Sequence, residues 1–139
     1  MNNNLLEITP PSLHILEDGL SVFVMTQDVQ IFAELKDFIN KVFTHSPVGL
    51  YYCERNVASN TIHWAIMHNH LCNYCIVDLE TANSEEIMLA MSRKSPTFWI
   101  CNPNTQKDIR RILNSREEEV LIFDDVQQLN TYFQHILEG

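Results

Sequence analysis

The chain has 139 residues, a common length for one domain, and 45 % of them are hydrophobic, enough for a core and too many for a disordered chain. Nine Lys and Arg stand against eighteen Asp and Glu, a formal charge of −9, and no basic face is visible with which to grip a phosphate backbone. No apolar run approaches the roughly 18 residues of a membrane span, so neither nucleic acid nor membrane is expected as a partner.

The N-terminus, Met1-Asn-Asn-Asn-Leu-Leu-Glu7, has no basic region and no long apolar stretch, so no secretory signal is expected. The protein is read as cytoplasmic, and Cys53, Cys72, Cys75 and Cys101 as reduced. Residues 2–18 contain Pro10-Pro11 and no periodicity; they are expected to lie as an extended arm on the domain. Leu20–Met25 predicts a buried strand. Ile31, Phe32, Leu35, Phe38, Ile39, Val42 and Phe43 then recur with the 3.6-residue period of an amphipathic helix, which Asp28 can cap. Residues 48–53 predict the second strand and residues 60–71 the second helix. Residues 72–78 form the third strand, closing on Asp78. A helix through Arg93 follows, capped by Asn83 or Ser84, then a strand over 97–101. Pro103 suits a helix start, with Ile109, Ile112 and Leu113 facing inward. Residues 120–123 predict the fifth strand, and Val126, Leu129, Phe133, Ile136 and Leu137 line one side of the last helix.

Strands alternating with helices imply parallel pairing through right-handed crossovers. The expected fold is α/β: one domain over residues 1–139, a three-layer α/β/α sandwich with a five-stranded, mostly parallel sheet of flavodoxin or Rossmann type. Ligands of such sheets sit beyond the carboxyl ends of the strands, where the strand order reverses. That rule selects Thr26, Gln27 and Asp28 after the first strand, residues 78–86 after the third and Asn102 after the fourth.

Asp78, Glu80, Glu85 and Glu86 cluster in that zone. A carboxylate in a first helical turn is favoured by the free N–H groups there, and a pair of carboxyls can divide the roles of nucleophile and acid at an anomeric carbon. His63, His68, His70, Cys72 and Cys75 are of types that suit zinc. Their Cys-x-x-Cys lacks a second pair, and strand alternation points its neighbours apart; no metal site is expected. Trp64 shares helical spacing with Ile62, Met67 and Leu71, which suits a core position as well as a ligand platform. Lys107, Arg110 and Arg111 read as a solvated helix face. Glycine-rich phosphate loops and a Gly-x-Ser-x-Gly elbow are missing.

Ile62-His-Trp64, Cys75-Ile-Val-Asp78, Glu86-Ile-Met-Leu-Ala90 and Lys94-Ser-Pro96 together resemble the pattern of the nucleoside 2-deoxyribosyltransferase-like group. The likeness is specific over residues 60–96 and looser at both ends. It implies Glu86 as the nucleophile toward C1′ of a 2-deoxyribosyl group and Asp78 as the residue assisting the departing base. Thr26, Gln27 and Asp28 would be the ligand loop, with Trp64 and Asn102 as further ligand contacts. A small nucleoside or nucleotide is the implied ligand, no cofactor is needed, and the resemblance implies a homo-oligomer in which a neighbour completes the site. The family's glycine-containing first loop is Met25-Thr-Gln-Asp28 here, its glycine after the nucleophile motif is Met88, and its acidic residue after the tryptophan is Ala65. Bulky groups at such positions fill the pocket they should line. This pattern fits a diverged member, and a non-catalytic module with a protein partner is the rival reading; an acidic, glycine-poor chain of this kind suits a small accessory protein such as a phage encodes. A receiver domain is a further relative in outline, with Asp78 as phosphoacceptor. It would need an acidic pair after the first strand and a lysine after the fifth, where this chain has Gln27-Asp28 and Asp124-Asp125; only a degenerate receiver fits.

Overall fold

A computed structural model describes residues 5–9, 19–42, 47–52, 66, 68–82, 84–92, 96–102 and 121–138. Their elements are, in chain order, β1 (Leu5–Ile8), β2 (Leu20–Met25), α1 (Val29–Val42), β3 (Val48–Tyr52), β4 (Tyr74–Asp78), α2 (Ser84–Met91), β5 (Thr97–Ile100), β6 (Leu121–Phe123) and α3 (Val126–Glu138). Residues 66 and 68–71 are also helical. Trp64, Cys53, His63 and Ala65 lie outside the described residues, as do the expected helix behind Pro103 and the Lys107, Arg110, Arg111 cluster. No helix among the described residues is long and apolar enough to cross a membrane.

The sheet has six strands in the order β1-β3-β2-β4-β5-β6, and every neighbouring pair is parallel. One expectation is thereby corrected: the strand count is six, not five; the expected parallel pairing holds throughout the described sheet. The extra strand comes from the segment expected to lie on the domain as an extended arm. Leu5–Ile8 runs beside Val48–Tyr51 of β3 at the sheet edge. Ile8 is buried, and Glu7 meets Lys36 of α1 at 3.1 Å. Gly49 lets this edge close up: a Cβ there would stand 3.0 Å from a ring carbon of Tyr51 and 3.3 Å from the Cδ1 of Ile8.

Alternation along the central strands sends successive side chains to opposite faces, and both faces are covered. Val22, Val24, Leu50, Ile76, Phe98 and Ile100 pack with Leu35, Phe38 and Ile39 of α1 and with Leu129 and Phe133 of α3. On the other face Phe23, Met25, Tyr51, Cys75, Val77 and Trp99 pack with Cys72 and with Ala90 of α2. Coverage on both sides explains why β2 is continuously apolar from Val22 to Met25 rather than alternating, as buried parallel strands usually are. The buried stripe of α1 is the one its sequence period predicts. Phe133 links α3 to both neighbours, its ring centroid 5.4 Å from Phe38 and 4.9 Å from Phe98. Cys72, Cys75 and Cys101 are buried in the apolar layer that holds Phe23 and Trp99, where cysteine packs as a small hydrophobe.

Candidate functional site

With β1 set aside, chain order reverses between β2 and β4: α1 leads from β2 to β3 on one side, and the later strands add on the other. The register pairs Val24 with Ile76 and Met25 with Val77, so one step further Thr26 stands beside Asp78. Both are buried, at 1 % and 0 % exposure.

Asp78 organises the rim. Its Oδ2 accepts the hydroxyl protons of Thr26 at 2.8 Å and Thr81 at 2.9 Å, and its Oδ1 accepts the Glu80 amide at 3.1 Å. Each hydroxyl has one proton and gives it to Asp78, leaving its lone pairs to accept. Thr81 Oγ1 accepts the Gln27 amide at 2.9 Å, and Thr26 Oγ1 accepts the Asp28 amide at 3.2 Å. The backbone turn closes beneath, with the Ala82 amide donating to the Asp78 carbonyl at 2.9 Å. A buried carboxylate needs such donors, and bonds to a charged acceptor contribute about 1.5–3 kcal/mol each. The network therefore pins the loop after β2 to the loop after β4.

The other expected ligand residues join the same rim. Asp28 caps α1: its Oδ1 accepts the amides of Gln30 at 2.9 Å and Ile31 at 3.2 Å, as an N-cap should. Asn102 follows β5, and its amide donates to Glu80 Oε1 at 3.0 Å. Thr26, Gln27, Asp28, Asp78 and Asn102 are thus brought to one end of the sheet. Glu86 stands in the first turn of α2, partly buried; no hydrogen bond joins it to Asp78. Met88, expected to fill the pocket, is instead 70 % exposed on the outer side of α2. Met25 does point inward, into the apolar layer under α2.

Thr81, which bridges the two loops, lies within the selected span 78–86 but was not singled out there. The signal was present as Asp78-Leu-Glu-Thr81, because an Asp at a strand end readily accepts the amide two residues on and turns the chain. Of the candidate zinc ligands, His68 is buried with its ring 5.3 Å from that of Tyr51, and His70 is exposed on the helical segment 68–71. Asp124 and Asp125, where a receiver would need lysine, instead start α3: Asp125 Oδ1 accepts the Gln128 amide at 2.9 Å, while Gln128 Oε1 accepts the Asp124 amide at 2.9 Å.

A second feature lies away from the rim. A groove of about 290 Å³ opens between α1 and α3, lined by Glu34, Asp37, Phe38, Lys41, Asp125, Val126, Gln127 and Asn130. No family model, curated protein or solved structure matches this chain.

Proposed function

We propose that this chain is a non-catalytic interaction module, built on a three-layer, flavodoxin-like scaffold and serving a cytoplasmic protein partner. One observation carries the reading: Asp78 is wholly buried and its two oxygens already hold Thr26, Thr81 and the Glu80 amide. A general acid must come within hydrogen-bond reach of the group it protonates. Asp78 is fully enclosed, so a substrate group could reach it only if this network opened. The same bonds argue against a phosphoacceptor role. The rim that carries ligands in sheets of this kind is used here to brace the scaffold.

A second reading, transfer or hydrolysis at a nucleoside N-glycosidic bond, is favoured by Glu86. It is partly buried in the first turn of α2, directly after the loop that Asp78 organises, where the helix N-terminus favours the carboxylate form. Under that reading Glu86 attacks C1′, and Thr26, Gln27, Asp28, Trp64 and Asn102 hold a small nucleoside or nucleotide. Incubation with deoxynucleosides and their 5′-monophosphates, followed by chromatography for free base, separates the two. The interaction module releases none. Base release that Glu86→Ala abolishes overturns it in favour of the enzyme.

A further inference from the structure

We propose that the groove between α1 and α3 docks an arginine- or lysine-bearing segment of the partner protein; the inference rests on the interaction-module reading and names that partner's chemistry. The groove's charge sets the sign of its occupant. Glu34, Asp37 and Asp125 face it with one cation, Lys41. That cation is already committed to Asp37 at 2.9 Å, as an i, i+4 pair along α1. Glu34 and Asp125 have no cationic partner among the described residues. Asn130 adds a second, independent indication: its Oδ1 is buried and accepts no hydrogen bond. A buried acceptor without a donor is uncommon in a folded protein and calls for a specific explanation.

The floor decides between a small ion and a side chain. Phe38 and Val126 add apolar surface to the groove lining. A long basic side chain lays its methylene stem on such a surface and delivers its donors at the tip, and a guanidinium offers five N–H groups to several acceptors at once. The volume, about 290 Å³, sits at the lower edge of the roughly 300–1,000 Å³ of small-molecule pockets, a size for one or two side chains of a docked peptide. The geometry is also fixed in advance. Asp125 is held as the cap of α3, and α1 and α3 meet through the Phe38–Phe133 contact.

The test uses a fluorescein-labelled arginine–alanine peptide and its citrulline counterpart, which keeps the shape and loses the charge. Binding is read by anisotropy and located by backbone amide shifts. The arginine peptide is expected to move the resonances of residues 34–41 and 125–130, and the citrulline peptide to bind about tenfold or more weakly, as loss of a charge-assisted contact implies. The double variant Glu34→Gln, Asp125→Asn should lose a similar factor while keeping its amide spectrum, since Asn also caps helices. A control double variant, Glu7→Gln, Glu80→Gln, removes the same charge at described residues outside the groove lining and should bind as the parent does. Equal losses in both variants mean attraction to the net charge alone and overturn the proposal. So does self-association, measured by sedimentation without peptide, that the Glu34 and Asp125 changes abolish: the occupant would then be a second copy. Absent peptide binding, with no base release either, removes the groove proposal and leaves the interaction-module reading standing; base release removes that reading itself.

Discussion

At the rim of β2 and β4, the hydroxyls of Thr26 and Thr81 both donate to Asp78, and each then accepts an amide of the neighbouring loop. In the groove between α1 and α3, three carboxylates face one ammonium and the buried Asn130 carbonyl accepts nothing. Both regions set polar and charged side chains against the apolar core. They differ in whether the donors come from the chain itself. A network that supplies its own donors stabilises the fold and has little left to offer a ligand. A set of acceptors short of donors adds little stability and is ready for an external cation. Location on a ligand-binding type of sheet is therefore a weaker guide than the balance of donors and acceptors.

The comparison is broken most severely at Asp78. Asp78→Ala takes the acceptor from two hydroxyls and the Glu80 amide, and should lower unfolding free energy by about 3–5 kcal/mol, three bonds to a charged acceptor taken at the low end of about 1.5–3 kcal/mol each. Urea denaturation measures it. A loss below about 1 kcal/mol would mean that the rim is not braced by this carboxylate. Thr81→Val is smaller: it keeps the shape, removes one donor to Asp78 and leaves the Gln27 amide without its acceptor. The expected loss is about 1–3 kcal/mol, and faster hydrogen exchange at the Gln27 amide should accompany it. Unchanged exchange there would show that the loops are held by other contacts.

Much of this fold was legible in the sequence, and the reasons are local. Leu35, Phe38 and Ile39 announce the inner face of α1, Leu129 and Phe133 that of α3, and the apolar runs at β2, β4 and β5 announce strands covered on both sides. β1 was missed because its four residues, with Leu6 and Glu7 exposed, carry no period; only pairing with β3 makes them a strand. At the rim, the order of elements placed Thr26 and Asp78 at the same end of the sheet. It could not show that Asp78 would be enclosed, because that depends on which way Thr26 and Thr81 point. Met88 was expected to fill a pocket and faces solvent instead, since helix rotation about α2 is set by Ala90 against the sheet. The groove had no sequence signature at all. It joins Glu34 and Asp37 to residues some ninety positions later, and nothing in either stretch alone marks them as neighbours.

Asn130 offers the finest test of the contrast, because there the two regions predict opposite signs. In a self-satisfied network, replacing a polar member destabilises. In a groove waiting for donors, the Asn130 carbonyl is a burden to the isolated protein. Leucine has the higher helix propensity by about half a kcal/mol, removes the unpartnered acceptor, and can lie against Phe38 and Val126 at the same wall. Asn130→Leu should therefore raise stability by about 0.5–1 kcal/mol, a gain of about 2–4 °C in thermal midpoint, while weakening the arginine peptide. Improvement in one and loss in the other is the mark of a residue kept for binding at the expense of the fold. A lower midpoint would show that the carbonyl has a donor within the protein, and the groove would then belong with the rim as part of the scaffold.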